Sequence, residues 1–207
     1  MFLNICLYLL VLSNFLLLGT ARVVQMTKYT ALQGFLLAAL LFHSGHTVLT
    51  LAVLVIKGLV LPGLLWRTEH RMPAESLICP HRLVALDVIA GMAGLAFAFW
   101  LDARLGSDLT HNLFPKLFLP LGLTTLFCGL ILIIGRVKAI TQVIGYLAAE
   151  NGIFLLGMPL MTQGTTWFEL ALLLDVFVAV FVMGIAINRI SDSFASMDVD
   201  RFRSLRD

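Results

Sequence analysis

The sequence has little charge. Asp, Glu, Lys and Arg make up 13% of its 207 residues, against roughly 25% in an ordinary soluble domain. The formal net charge is +2 and no basic tract interleaves with aromatic residues, which excludes the footprint of a nucleic-acid binder. Cysteine is scarce as well. Cys6, Cys79 and Cys128 are far apart, and no Cys-x-x-Cys or Cys/His spacing frames an iron–sulfur cluster, a zinc site or a c-type haem. A disulfide framework is equally unsupported. A Gly-rich phosphate loop and a nucleophile elbow are both missing. Long polar stretches are missing too: the longest connections are 67–82, 102–112 and the tail after Arg189, too short for a soluble catalytic or cofactor domain.

What fills the chain instead is hydrocarbon. Hydrophobic residues make up 60% of it, and the mean hydropathy is +0.98. A chain with so little polar surface cannot coat a soluble fold. It reads as an all-α, polytopic integral membrane bundle. Crossing a hydrocarbon core of about 30 Å takes about 20 apolar residues, and seven runs qualify: 1–18, 29–42, 46–66, 83–101, 113–135, 140–161 and 167–188. The second is short, and with the third it forms either two spans or one bent hairpin around His43 and His46. Trp66, Trp100 and Trp167 fall where an aromatic belt lies. Ala90, Gly94 and Ala98 place small residues at four-residue spacing for close helix packing.

Lys and Arg set the orientation. With the N-terminus outside, the inner segments hold Arg22 and Lys28, then Arg67, Arg71 and Arg82, then Arg136 and Lys138, then the four arginines from Arg189 onward. The outer loops hold only Arg104 and Lys116. This bias predicts seven spans with the C-terminus inside. The start Met1–Asn4 has no positive residue, so the first helix is expected to be a retained anchor, not a cleaved signal.

The informative residues are ionisable groups inside the apolar runs, each costing at least about 2.5–3.5 kcal/mol at a helix centre. Glu150 lies ten residues past Ile140, hence about 15 Å deep at 1.5 Å per residue. Asp175 lies eight residues past Trp167, about 12 Å deep. Lys57 lies nine residues before Trp66, too deep for its stem to reach the interface. Burial penalises the charged form of an acid or a lysine and so brings either within reach of proton exchange. The short connection between the sixth and seventh runs makes these helices neighbours, so Glu150 and Asp175 lie at similar depth and two nearby acids favour proton sharing. Each group also has a plainer reading: Glu150 and Asp175 as helix–helix hydrogen-bonding groups, Lys57 in a permanent ion pair. Gly58 and Pro62 let the backbone bend beside Lys57. Asp87, five residues past Arg82, is a secondary candidate that reads better as a solvated acid at the inner interface. Asn151 is a further polar neighbour of Glu150. His43 and His46 read as an interfacial loop pair.

The stretch from Thr141 through Tyr146 to Glu150-Asn151-Gly152, the run Leu174-Asp175-Val176-Phe177-Val178, the tail Met197-Asp198-Val199-Asp200-Arg201 and the segment Lys57-Gly58-Leu59-Val60-Leu61-Pro62 together resemble the E-type membrane subunit of hydrogenase-4. The similarity runs from about Val53 to the end, with a weak middle around 75–114. That family belongs to complex I-like, membrane-bound nickel–iron hydrogenases. Its last three helices are similar to the K-type subunit of complex I, which carries an intramembrane glutamate after an Ile-Gly pair, here Ile144-Gly145. The K-type acid falls where this chain has Leu147, one turn before Glu150 on the same helix side.

The resemblance implies a division into N-terminal membrane helices (1–112) and a K-like three-helix unit with a short cytoplasmic tail (113–207). It implies a non-redox subunit of a multi-pass complex in a bacterial or archaeal cell membrane, relaying protons or sodium ions through Glu150, Asp175 and Lys57. Antiporter-like membrane subunits would be its partners. No cofactor is expected in this chain; a nickel–iron centre and iron–sulfur clusters would sit on partner subunits. A transport complex without redox partners and a purely structural spacer are the rival readings.

Overall fold

The structure is a computed structural model and describes residues 2–43, 47–69, 81–105, 116–136 and 138–159. Every element among these residues is helical. They are α1 (Phe2–Leu18), α2 (Val23–His43), α3 (47–69), α4 (His81–Leu105), α5 (Phe118–Gly135) and α6 (Ala139–Gly157). The expected seventh helix, and Asp175 with it, lie outside the described residues. Four stretches are long and apolar enough to cross a membrane: Leu49–Arg67, Val84–Leu105, Phe118–Gly135 and Ile140–Gly157. α1 is apolar but shorter, at 17 residues. The second and third apolar runs fall on two helices, α2 and α3, that pack on each other. α2 also begins six residues earlier than its apolar run predicts. Its first turns carry Gln25, Thr27, Lys28 and Thr30, and the threonines bond back to the carbonyl four residues earlier, Thr27 to Val23 and Thr30 to Met26, so polar residues continue the helix without loose hydroxyls.

The outward faces are apolar: Leu86, Ile89 and Met92 on α4, Ile134 on α5 and Ile153 on α6 are exposed. Asn14, Gln33, Thr125 and Asn151 are buried. Hydrocarbon outside and amides inside is the arrangement that a lipid solvent favours, because polar groups there must find partners within the protein.

Glycine sets the closest packing. On α5, Gly122 and Gly129 are seven residues apart; on α6, Gly145 and Gly152 are too. Residues at that spacing share a helix face. A Cβ at Gly129 would fall on the Ala149 backbone and one at Gly152 on the Leu126 backbone. One at Gly145 would sit 2.8 Å from Leu132 Cβ. The two helices therefore touch backbone to backbone, as small-residue membrane interfaces do. The expected Ala90-Gly94-Ala98 stripe is used only in part. Ala98 is buried and Gly94 faces Phe127, but Ala90 is exposed. Gly91, which a Cβ would drive to 2.5 Å from Leu18 Cδ1, carries the α1 contact instead.

The interior is layered. One apolar cluster contains Leu10, Leu37, Val53, Leu121 and Phe154. A second contains Leu17, Met26, Leu61, Cys128 and Ala148. On each of α1, α2, α3, α5 and α6, a polar residue falls between the member of one cluster and the member of the other: Asn14, Gln33, Lys57, Thr125 and Asn151 respectively. The bundle is thus apolar toward both ends and polar in its middle.

Candidate functional site

The site is built around an irregularity in α3. The helix is α-helical over Thr47–Val53, π-helical over Leu54–Val60 and α-helical again over Leu61–Glu69. The wider register shows in the Leu61 N–H, which donates to the Ile56 carbonyl five residues back. π-turns are rare and concentrate at functional positions. Pro62 helps to explain this one. It has no N–H, so it cannot close an α-turn on Gly58 or a π-turn on Lys57. Gly34 of α2 covers the same backbone: a Cβ there would lie 2.5 Å from the Lys57 carbonyl oxygen and 2.7 Å from its carbon. Glycine at 34 lets α2 lie directly on the widened turn.

Lys57 projects from this turn into the bundle and is only 4% exposed. Its Nζ donates to Asn151 Oδ1 at 3.1 Å and lies 3.7 Å from Glu150 Oε1. The Phe154 ring sits beneath it, 5.3 Å from Nζ to the centroid, where the ring face attracts a cation. Glu150 is itself 8% exposed, and its second oxygen, Oε2, has no hydrogen-bond partner among the described residues. Three of the residues singled out from sequence, Lys57, Glu150 and Asn151, therefore meet at one point. Leu147, which holds the position of the K-type acid, is buried in the apolar cluster toward the start of α6.

From Asn151 a chain of buried side chains crosses the bundle. Asn151 Nδ2 donates to Gln33 Oε1 at 3.0 Å, and Gln33 Nε2 donates to Asn14 Oδ1 at 2.9 Å. Asn14 Nδ2 donates to Thr125 Oγ1 at 2.9 Å, and the Thr125 hydroxyl donates to the Leu121 carbonyl at 2.8 Å. Five helices are tied through one line of hydrogen bonds. Sequence reading passed over Asn14, Gln33 and Thr125. The available signal was an uncharged amide near the middle of an apolar helix, which marks interhelical hydrogen bonding in lipid.

Asp87 belongs to a different centre, and its predicted place as a solvated interfacial acid is not what the fold provides. It is 5% exposed and lies 2.9 Å from Arg136 Nε. Arg136, at 1% exposed, donates from Nη2 to the Leu18 carbonyl at 3.1 Å. Gln142 Nε2 in turn donates to the Arg136 carbonyl at 2.9 Å. This centre gathers the end of α1, the second turn of α4 and the end of α5. Position in sequence puts Arg136 in a loop, but the packing of α1 and α4 covers it. Among the described residues no three His, Cys, Asp or Glu side chains converge as metal ligands, and Cys6 and Cys128 are buried free thiols.

These features define a helical membrane protein whose interior carries its polar chemistry: a buried lysine–carboxylate pair, an amide chain and a separate arginine–aspartate pair. The chain belongs to the family of the uncharacterized protein Rv0085 of Mycobacterium tuberculosis. The two are 31% identical over 215 aligned residues, covering 96% of this chain and 93% of the relative. No family model and no solved structure matches the chain.

Proposed function

We propose that this protein is a non-redox membrane subunit of a complex I-like hydrogenase or related redox complex, and that it takes part in proton or sodium-ion translocation. The observation that carries the reading is the Lys57–Glu150 pair. A cation on the π-turn of α3 and a carboxylate on α6 are held 3.7 Å apart between two apolar layers. Direct proton transfer works over about 2.6–3.2 Å or through one water, so the pair stands one small movement, or one bridging water, from exchange. A carboxylate whose second oxygen has no hydrogen-bond partner among the described residues, as Glu150 Oε2 has none, suits a group that must hand its proton onward. The resemblance of the Lys57–Pro62 and Glu150–Gly152 segments to the E-type membrane subunit of hydrogenase-4 supplies the complex: antiporter-like membrane subunits beside this chain, with nickel–iron and iron–sulfur chemistry on partners. Asp175 is the second carboxylate of the proposed path. Seven spans, an outer N-terminus and residence in the bacterial or archaeal cell membrane complete the proposal.

The experiment is the Glu150→Gln substitution in the native complex. The complex is expected to assemble with normal partner masses and to lose ion translocation. Full translocation by an assembled Glu150→Gln complex overturns the relay role. Metal content of the same preparation separates the rival: nickel and iron co-purifying with this chain support the redox complex, and antiporter-like partners without metal point to a transport complex.

A further inference from the structure

The chain from Lys57 to the Leu121 carbonyl has a direction. An ammonium can only donate hydrogen bonds and a backbone carbonyl can only accept them. These two groups sit at opposite ends. Between them each amide has one usable orientation. Asn151, Gln33 and Asn14 all turn their oxygens toward Lys57 and their N–H groups away from it. Reversing any single amide would set N–H against N–H on its Lys57 side, and for Asn151 and Gln33 also oxygen against oxygen on the other. Aligned links polarise one another in a low-dielectric interior, so the oxygen facing Lys57 is more negative than that of an isolated amide.

Amides do not pass protons along such a line in their ordinary form, since the nitrogen keeps both hydrogens and has no free lone pair to accept a third. The chain is therefore not an extension of the proton path. We infer that Asn14, Gln33 and Thr125 are positioning residues: through Asn151 they hold the Lys57 ammonium against Glu150. They act from α1, α2 and α5, through hydrogen bonds that run to Asn151 and away from it. From the elements around Lys57, α6 brings Glu150, Asn151 and Phe154, and α2 brings Gln33 by way of Asn151. The consequence for translocation rests on the relay reading above; the positioning of the pair does not.

The polarity of the chain gives a test that packing alone does not predict. Position 14 must accept from Gln33. Aspartate accepts there, and the Thr125 hydroxyl turns to donate to its second oxygen. Leucine cannot accept at all. For a merely packed position the order reverses, because leucine suits an apolar interior and a carboxylate does not. The readout is labelling of Glu150 by dicyclohexylcarbodiimide in native membranes, followed by mass spectrometry of the peptide carrying Glu150. The reagent attacks protonated buried carboxyls and spares carboxylates held in ion pairs. Asn14→Leu and Gln33→Leu are expected to raise labelling by about tenfold, the effect of losing one hydrogen bond's worth of restraint, while Asn14→Asp stays near wild type. Gln33→Met provides the same cut with a flexible side chain should either leucine variant fold poorly. Unchanged labelling in Asn14→Leu and Gln33→Leu, or equal labelling in Asn14→Asp and Asn14→Leu, overturns the inference. The labelling does not depend on pumping, so a Glu150→Gln complex that pumps normally defeats the relay reading while leaving this result to stand or fall by itself.

Discussion

Arg136 Nε lies 2.9 Å from Asp87 Oδ2, so a guanidinium and a carboxylate face each other directly inside the bundle. Gly135 makes room for the contact, since a Cβ there would stand 2.7 Å from Asp87 Oδ1. Both residues are buried, and the guanidinium also takes the last carbonyl of α1. One arginine thus anchors three helix ends.

A buried charge that loses its partner is far more costly than a pair removed together. Asp87→Asn is therefore expected to destabilise the protein by about 3–5 kcal/mol. The double substitution Asp87→Leu with Arg136→Met should recover most of that loss. Thermal unfolding of the detergent-solubilised protein checks it. A double variant as unstable as the single one would show that the pair contributes more than mutual neutralisation.

The same logic separates stability from function at the other pair. Lys57→Met leaves Glu150 buried without its cation and should cost about 3–5 kcal/mol. Lys57→Met combined with Glu150→Gln should regain stability but not ion translocation. The two assays, unfolding and translocation, are expected to part company in this double variant. Recovery of both together would make the pair structural glue.

Gly34 and Gly63 give a contrast within one helix hairpin. A Cβ at Gly34 meets the Lys57 backbone, which cannot rotate away, whereas among the described residues nothing lies within 4 Å of a Cβ at Gly63. Gly34→Ala should destabilise by about 1–3 kcal/mol through overpacking. Gly63→Ala should be neutral or stabilise by up to about 1 kcal/mol, from the entropy glycine loses in a helix. Unfolding midpoints measured side by side decide the matter, and equal effects would contradict the close approach of α2 to the π-turn.

A graded series is expected between α5 and α6. Alanine at Gly129 or Gly152 meets backbone, but alanine at Gly122 meets the Leu156 side chain at 2.8 Å, which has rotamers to yield. Gly129→Ala and Gly152→Ala should each cost more than Gly122→Ala, within a range of about 1–3 kcal/mol for overpacked sites. Urea or thermal unfolding of the three variants tests the order.

Composition and hydropathy by themselves determined that the chain is helical and apolar enough to cross a membrane, because its long apolar runs carry almost no charge, and four of them coincide with described helices of membrane-spanning length. They also picked out Lys57 and Glu150, since a charge that cannot reach the interface stands out against hydrocarbon. The ends of the described helices were legible to within five residues, except at α2, where threonines that satisfy their own hydroxyls extend the helix past its apolar run. Tertiary structure alone decided which charges meet. Asp87 and Arg136 look interfacial in sequence, and only the crossing of α1, α4 and α5 buries and pairs them. Asn14, Gln33 and Asn151 are distant in the chain and ordinary when taken singly; the glycine contacts that bring α2 onto α3 and α5 onto α6 place them within hydrogen-bond reach. The π-turn at Lys57 is tertiary in the same sense. Proline removes a donor, which sequence reveals, but the register that results depends on the helix packed against it. Periodicity records which face of a helix is buried, not which residue of another helix it will face, and partnership across helices is what the chemistry of this site requires.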